Sequence, residues 1–228
     1  MDVSRGDRSE ATLRREMVAI GRRLYERRLI CATEGNLSVR LGPARFLTTP
    51  SGACKGDLTP RDLVVVDQAG RTVRGAGRPS SELPLHLRAY AERPDIGAVV
   101  HAHPPTANGF AVAGLPLTRA TLAEIVFALG EVPLAAYGTP TTPDLPRRVA
   151  TYLRNHDAVL MANHGAITVG RDLREAFYKM ELVEHLAHVT LVAQLLGGER
   201  EISDGEVAKL HAMRGNSRSP LSTRRARG

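Results

Sequence analysis

Two histidines one residue apart, His101-Ala102-His103, close an apolar run that begins at Gly97. On an extended strand, positions i and i+2 project to the same face, so these two imidazoles can share one metal ion. By itself the pair is weak evidence. A third histidine, His164, closes a second apolar run that begins at Asp157, in Ala162-Asn163-His164-Gly165. If the two runs are neighbouring strands, three neutral imidazoles meet at one sheet edge, leaving a coordination position open for chemistry. Glu82, in Ser80-Ser81-Glu82-Leu83-Pro84, adds a carboxylate that reads in two ways. It is either an acid/base beside the metal or a first-turn glutamate favoured by the helix dipole, and the local sequence favours the dipole. His86, His156, His185, His188 and His211 fall in helical or loop contexts, where solvent-facing or core roles are commoner.

Three small-polar turns could hold an anion: Gly35-Asn36, Ser51-Gly52 and Ser80-Ser81. Backbone N–H groups and hydroxyls bind phosphate without Lys or Arg. Each turn alone is non-specific, so their meaning depends on converging at one place.

The elements that must position these groups follow from periodicity. Leu13, Met17, Ile20 and Leu24 predict an amphipathic helix over 10–29. Asn36–Leu41, Arg45–Thr49 and Leu63–Asp67 read as strands of an antiparallel meander, separated by Gly-Pro, Pro-Ser-Gly and Thr-Pro turns. Glu82–Arg93 is expected to be helical, Gly97–His103 a strand, Pro105–Ala113 and Thr121–Leu129 short helices, and Val132–Tyr137 a strand. Thr142–Asn155 follows as a helix, then the strand Asp157–His164 with Ala166–Val169 as its hairpin partner. The longest helix is expected over Asp172–Leu196, closed by Gly197-Gly198, with a last one over Asp204–Met213. No repeat or long linker divides the chain, so the fold class is α/β: a single domain over 1–213 with a predominantly antiparallel sheet flanked by helical layers.

Composition excludes several classes. The 228 residues are 43% hydrophobic and 24% charged, as in an ordinary globular domain. The formal charge of +7 is terminal: residues 1–30 contribute +3 and the segment 214–228 contributes +5. That last segment reads as a basic, solvated, disordered tail rather than a nucleic-acid-binding arm, since aromatic residues are only 4% and no reading motif accompanies it. Two cysteines, Cys31 and Cys54, form neither a metal spacing nor a disulfide framework, which fits a cytoplasmic protein; Cys54 reads as packing. The first thirty residues hold no apolar core of signal-peptide type. The longest uncharged stretch, Ile96–Thr118, contains two histidines, three prolines and an asparagine and is no membrane span.

Taken together, Gly35-Asn36-Leu37-Ser38-Val39-Arg40, Thr49-Pro50-Ser51-Gly52, Ser80-Ser81-Glu82, His101-Ala102-His103-Pro104 and Asn163-His164-Gly165 resemble, in order and spacing, the class II aldolase/adducin-like family over residues 10–200. The likeness is strongest to members acting on fuculose 1-phosphate. It implies a nine-stranded, mainly antiparallel sheet between helical layers and a homotetramer with active sites at subunit interfaces. It implies Zn2+ on His101, His103 and His164, with Mn2+ or Co2+ as alternatives. Glu82 would be the acid/base, occupying the fourth position until substrate arrives. Gly35, Asn36, Ser51, Gly52, Ser80 and Ser81 would hold the substrate phosphate and neighbouring oxygens.

The implied reaction is reversible cleavage of a ketose 1-phosphate, fuculose-1-phosphate-like or a 5-deoxypentulose 1-phosphate, into dihydroxyacetone phosphate and an aldehyde. Zinc would act as Lewis acid on the C2 and C3 oxygens. The sequence departs from the family at the aldehyde end: Ala120-Thr121-Leu122-Ala123-Glu124 lacks the tyrosine that the fuculose members supply from a neighbouring subunit, leaving either Glu124 or Tyr137 as a substitute or a different reaction that lacks this acid. Rival readings are a 5-methylthioribulose-1-phosphate dehydratase, a decarboxylase or other lyase on the same metal site, and an adducin-like scaffold. The scaffold is disfavoured because the ligand histidines and Glu82 are all present.

Overall fold

The computed structural model describes residues 8–217. Its elements are α1 (Glu10–Glu26), β1 (Asn36–Gly42), β2 (Arg45–Thr48), β3 (Val64–Asp67), β4 (Thr72–Arg74), α2 (Leu83–Glu92), β5 (Ala98–Ala102), α3 (Pro105–Ala113), α4 (Ala123–Ala128), β6 (Leu134–Ala135), α5 (Asp144–Leu153), β7 (Ala158–Met161), β8 (Gly165–Gly170), α6 (Leu173–Leu195) and α7 (Asp204–Ser217). The strands form one sheet in the order β4-β3-β2-β1-β5-β8-β7-β6, antiparallel throughout except for β6 against β7.

Alternation along the central strands divides the core into two layers. Ala98, Val100 and Ala102 of β5 pack with the apolar faces of α1, α3 and α6. Val99 packs on the other face with residues of α2 and α5. His101 is even with Val99 in the strand's two-residue period, so it faces the α2 layer, and α2 begins beside Glu82. This places the metal-type residues and the carboxylate on one side of the sheet.

The expected elements are present, with informative differences. The sheet has eight strands among the described residues, not nine: Pro50 with Pro79 and Leu117 with Val132 form only isolated bridges. Proline lacks the N–H that would extend the first of these into a ladder. The unforeseen strand β4 is fully exposed and follows a turn in which the Asp67 carboxylate accepts the N–H groups of Ala69 and Arg71. Turn chemistry rather than an apolar pattern creates it. α1 ends at Glu26 because the chain reverses at Arg28 (φ 58°), which lets Leu29 and Ile30 enter the core. β6 is two residues long, between Pro133 and the exposed Tyr137. α7 continues through Ser217, into the segment expected to be tail; the rest of that segment, 218–228, lies outside the described residues.

One expectation about strand order is corrected. The strands ending near His103 and His164 are not neighbours, because β8 lies between β5 and β7. His164 occupies the tight β7–β8 turn, where its N–H bonds the Met161 carbonyl at 3.0 Å and Asn163 adopts φ 56°. The pairing of β8 with β5, Ala102 opposite Ala166, carries that turn to the end of β5.

Candidate active site

The three imidazoles converge. Their ring centroids are 4.8, 4.9 and 5.2 Å apart, and one nitrogen from each lies within 4.8 Å of the others. His101 is fully buried and its Nδ1 is 2.9 Å from the Ala166 carbonyl oxygen. A carbonyl only accepts, so Nδ1 carries the proton, which turns the Nε2 lone pair into the cluster. Nε2 of His101 lies 3.0 Å from Nε2 of His103. The far nitrogen of His103, Nδ1, faces the Glu34 carboxylate at 3.4 Å.

Glu82 reaches the same point. Its Oε2 is 3.2 Å from His101 Nε2, and its Oε1 is 2.9 Å from His164 Nε2. Asn36 Nδ2 donates to Oε2 at 2.7 Å. Glu82 stands at the N-cap of α2, yet its side chain makes no capping bond; the carboxylate turns to the histidines instead. The dipole reading favoured by the local sequence therefore does not describe this side chain. Burial opposes ionisation of Glu82, but with no metal on the ring nitrogens the imidazoles of His101 and His164, when protonated, prevail and hold its carboxyl well below the usual range. Burial, reinforced by the neighbouring imidazoles, pushes His103 down to about 3. The donor set fits a divalent transition ion, with three imidazole nitrogens, one oriented by a backbone carbonyl, and a carboxylate alongside.

The anion turns are stitched together beside this cluster. Thr49 Oγ1 accepts the N–H of Leu37 at 3.1 Å, tying the Ser51-Gly52 turn to Asn36. The N–H of Ser51 bonds the Arg78 carbonyl at 2.9 Å, and that of Ser80 bonds the Thr49 carbonyl at 3.2 Å, which ties in Ser80-Ser81. Ser80 Oγ accepts the Glu82 N–H at 3.2 Å, and Ser51, Gly52 and Ser81 are exposed. Gly35 and Gly52 have φ near +70°, a backbone conformation glycine adopts freely. A Cβ at Gly35 would also fall 2.8 Å from the His101 carbonyl oxygen, whereas one at Gly52 would meet open space.

Sequence reasoning missed several contributors. Gly165 is required by contact: a Cβ there would lie 2.6 Å from the Ala102 carbonyl oxygen and 2.7 Å from His103 Cδ2. Its position directly after His164 was the available signal. Thr49 and Glu34 were missed because their contacts are long-range. On the other hand, neither Glu124 nor Tyr137, both exposed, hydrogen-bonds or pairs with the cluster. His86 is buried, bonded through Nδ1 to Ser38 Oγ at 2.7 Å, and held neutral by burial at about 3.

Comparison with known proteins gives the family. Residues 15–191 match the family described as the class II aldolase and adducin N-terminal domain. The chain belongs to that family. Among curated relatives, a 5-methylthioribulose-1-phosphate/5-deoxyribulose-1-phosphate aldolase of Rhodospirillum rubrum is 37% identical over 179 residues, covering 78% of this chain and 80% of the relative. A 3-oxo-tetronate 4-phosphate decarboxylase of Escherichia coli is 32% identical over 209 residues, covering 89% and 97%. Among solved structures, an L-fuculose 1-phosphate aldolase superposes with a TM-score of 0.83 at 33% identity, covering 90% of this chain and 97% of that one. This class II aldolase family chain is thus an enzyme among lyases, with the antiparallel sheet and helical layers expected of it. Its histidine triad could hold a metal ion, and none of its described helices is long and apolar enough to cross a membrane.

Proposed function

We propose that this chain is a zinc-dependent lyase that cleaves a ketose 1-phosphate, of the fuculose or 5-deoxypentulose type, to dihydroxyacetone phosphate and an aldehyde. The observation that carries the reading is the meeting of three imidazole nitrogens, the Glu82 carboxylate and three cross-linked anion turns at one end of the sheet's central strands.

His101, His103 and His164 would hold the ion, with Mn2+ or Co2+ as alternatives to Zn2+. When bound, the metal supplies Lewis acidity toward negative charge developing on substrate oxygen. Breaking the C3–C4 bond leaves an electron pair on C3 and requires C3 to gain a proton. Glu82, once it has taken a proton from solvent, delivers that proton to C3 and, in the condensation direction, removes it. Asn36 steadies the carboxylate through Oε2 for that transfer. Gly35, Asn36, Ser51, Gly52, Ser80 and Ser81 would anchor the phosphate, fixing C3 relative to Glu82. Aldehyde formation also releases the C4 hydroxyl proton. A group from a neighbouring subunit would take it in a homotetramer, since Glu124 and Tyr137 do not join the cluster within one chain. A cytoplasmic setting belongs to the same reading and is supported by the two free cysteines.

A second reading is favoured by the decarboxylase relative, to which the chain is similar along nearly its whole length. Loss of CO2 from a 3-oxo-tetronate 4-phosphate leaves an electron pair beside the ketone, giving the enediolate of dihydroxyacetone phosphate. The same carboxylate and turns serve both reactions, and only the departing group differs.

The test is a coupled NADH assay of dihydroxyacetone phosphate release by the zinc-loaded protein. Substrates are the 1-phosphates of L-fuculose, L-rhamnulose, ribulose, 5-deoxyribulose and 5-methylthioribulose, together with 3-oxo-tetronate 4-phosphate. Release from a ketose phosphate supports the aldolase. Release from the oxo acid alone selects the decarboxylase. No release from any would point to a dehydratase or another lyase on this site.

A further inference from the structure

The chain has only three lysines among its 31 cationic residues. Lys209 is exposed and pairs with Glu206. Lys179 is buried, and its ammonium is matched by Asp157 at 2.9 Å and Glu175 at 3.0 Å. Lys55 is equally buried, at 2% exposure, but no carboxylate among the described residues stands at ion-pair distance from it. Its Nζ donates to the carbonyls of Thr33 and, at 2.7 Å, Ala53. Two neutral acceptors leave one N–H over, and the charge is offset only at a distance, by Cys54, Glu82 and Glu34, with no carboxylate in direct contact. A buried charge is costly without a counter-ion, so this arrangement calls for an anion that arrives from outside.

The position says which anion. Thr33 stands two positions before Gly35-Asn36 and Ala53 directly follows Ser51-Gly52, so the ammonium clamps the two turns assigned above to the phosphate. None of the six residues assigned to that cradle is cationic. A phosphate dianion entering there would also approach Glu82, and the Lys55 charge is felt at Glu82, Glu34, His101 and His103. A compact ammonium suits the place, because its three donors can serve two carbonyls and an anion from one atom, whereas a guanidinium spreads its donors over a plane.

We propose that Lys55 is the charge partner of the substrate phosphate and sets the preference for phosphorylated over unphosphorylated ketones. The proposal rests on the phosphate reading above, and its test separates the two. Zinc-loaded wild type, K55M and K55Q are titrated calorimetrically with dihydroxyacetone phosphate, inorganic phosphate and dihydroxyacetone, with zinc content measured for each. The expected result is at least tenfold weaker binding of both phosphates by both variants. Dihydroxyacetone binding and zinc content should stay unchanged. Variants that bind the phosphates as wild type does would overturn the role of Lys55 and leave the phosphate site standing. A wild type that binds neither phosphate would remove the site and the proposal together. Should the variants not fold, the wild type decides through NMR of ε-13C-labelled lysine. Burial brings Lys55 to about 8. Phosphate seated against it should raise its titration midpoint by about one pH unit or more, as a nearby opposite charge does. A midpoint indifferent to phosphate contradicts the proposal, and a purely structural clamp would give that result.

Discussion

At the scale of single residues, the site depends on where ring nitrogens point. His101 is oriented by the Ala166 carbonyl, and its neighbours can crowd in because Gly165 has no side chain. Gly165→Ala would force a methyl against His103 Cδ2 and the Ala102 carbonyl, both under 3.0 Å from it. We expect zinc affinity to fall by about 10- to 100-fold, the usual effect of disturbing groups that orient ligands, which competition with a chromogenic chelator would measure. Unchanged affinity would mean that the imidazoles have more room than the contacts imply. The histidine spacing was legible in the sequence because strand periodicity alone puts His101 and His103 on one face. The role of Gly165 was not, since the constraint comes from the end of β5, where Ala102 lies 63 residues earlier in the chain.

At the scale of elements, the site needs α2, β7 and α6 held in register, and a buried ionic cluster does this. Asp157, just before β7, meets Lys179 of α6 at 2.9 Å and Arg93, at the end of α2, at 3.1 Å. Burial raises the Asp157 carboxyl, but Lys179 and Arg93 outweigh it and the net direction is down. A carboxyl depressed on folding contributes stability above its unfolded value, about pH 4, and loses it as pH falls through the folded value. Asp157→Asn should therefore cost on the order of 3 kcal/mol in urea unfolding at pH 7, with the gap to wild type closing as the pH is taken below about 4. A gap independent of pH would show that shape, not charge, matters here. The strands and helices were largely readable from apolar periodicity. What escaped was strand order: a hairpin was expected from Asp157–His164 and Ala166–Val169, yet nothing local says that its second strand is the one that pairs with β5. β4 escaped as well, because an exposed edge strand of Thr72, Val73 and Arg74 bears no buried face.

At the scale of the whole molecule, the described surface is not uniformly polar. Leu191, Val192, Leu195 and Leu196 form a stripe at the end of α6, and Leu195 and Leu196 are 79% and 83% exposed. Contiguous apolar surface of this kind is covered in most proteins. In the homotetramer of the proposed function, this stripe is a natural place for contact between copies. Sedimentation velocity should find a tetramer, and the double substitution Leu195→Glu with Leu196→Glu should shift it to smaller species. A monomeric wild type would exclude a proton acceptor supplied by a neighbouring subunit. The assembly was not legible in residue spacing, because a surface stripe names no partner.

The most direct measurement concerns the proton step, which needs no knowledge of the aldehyde. Zinc-loaded enzyme is incubated with dihydroxyacetone phosphate in D2O, and loss of one hydroxymethyl proton is followed by NMR. The account predicts stereospecific exchange by the wild type. It predicts exchange slowed by about 10²- to 10⁴-fold in Glu82→Gln with zinc content intact, the usual range for removal of a general acid/base. Exchange at the wild-type rate in Glu82→Gln, or none in the zinc-loaded wild type, would contradict it.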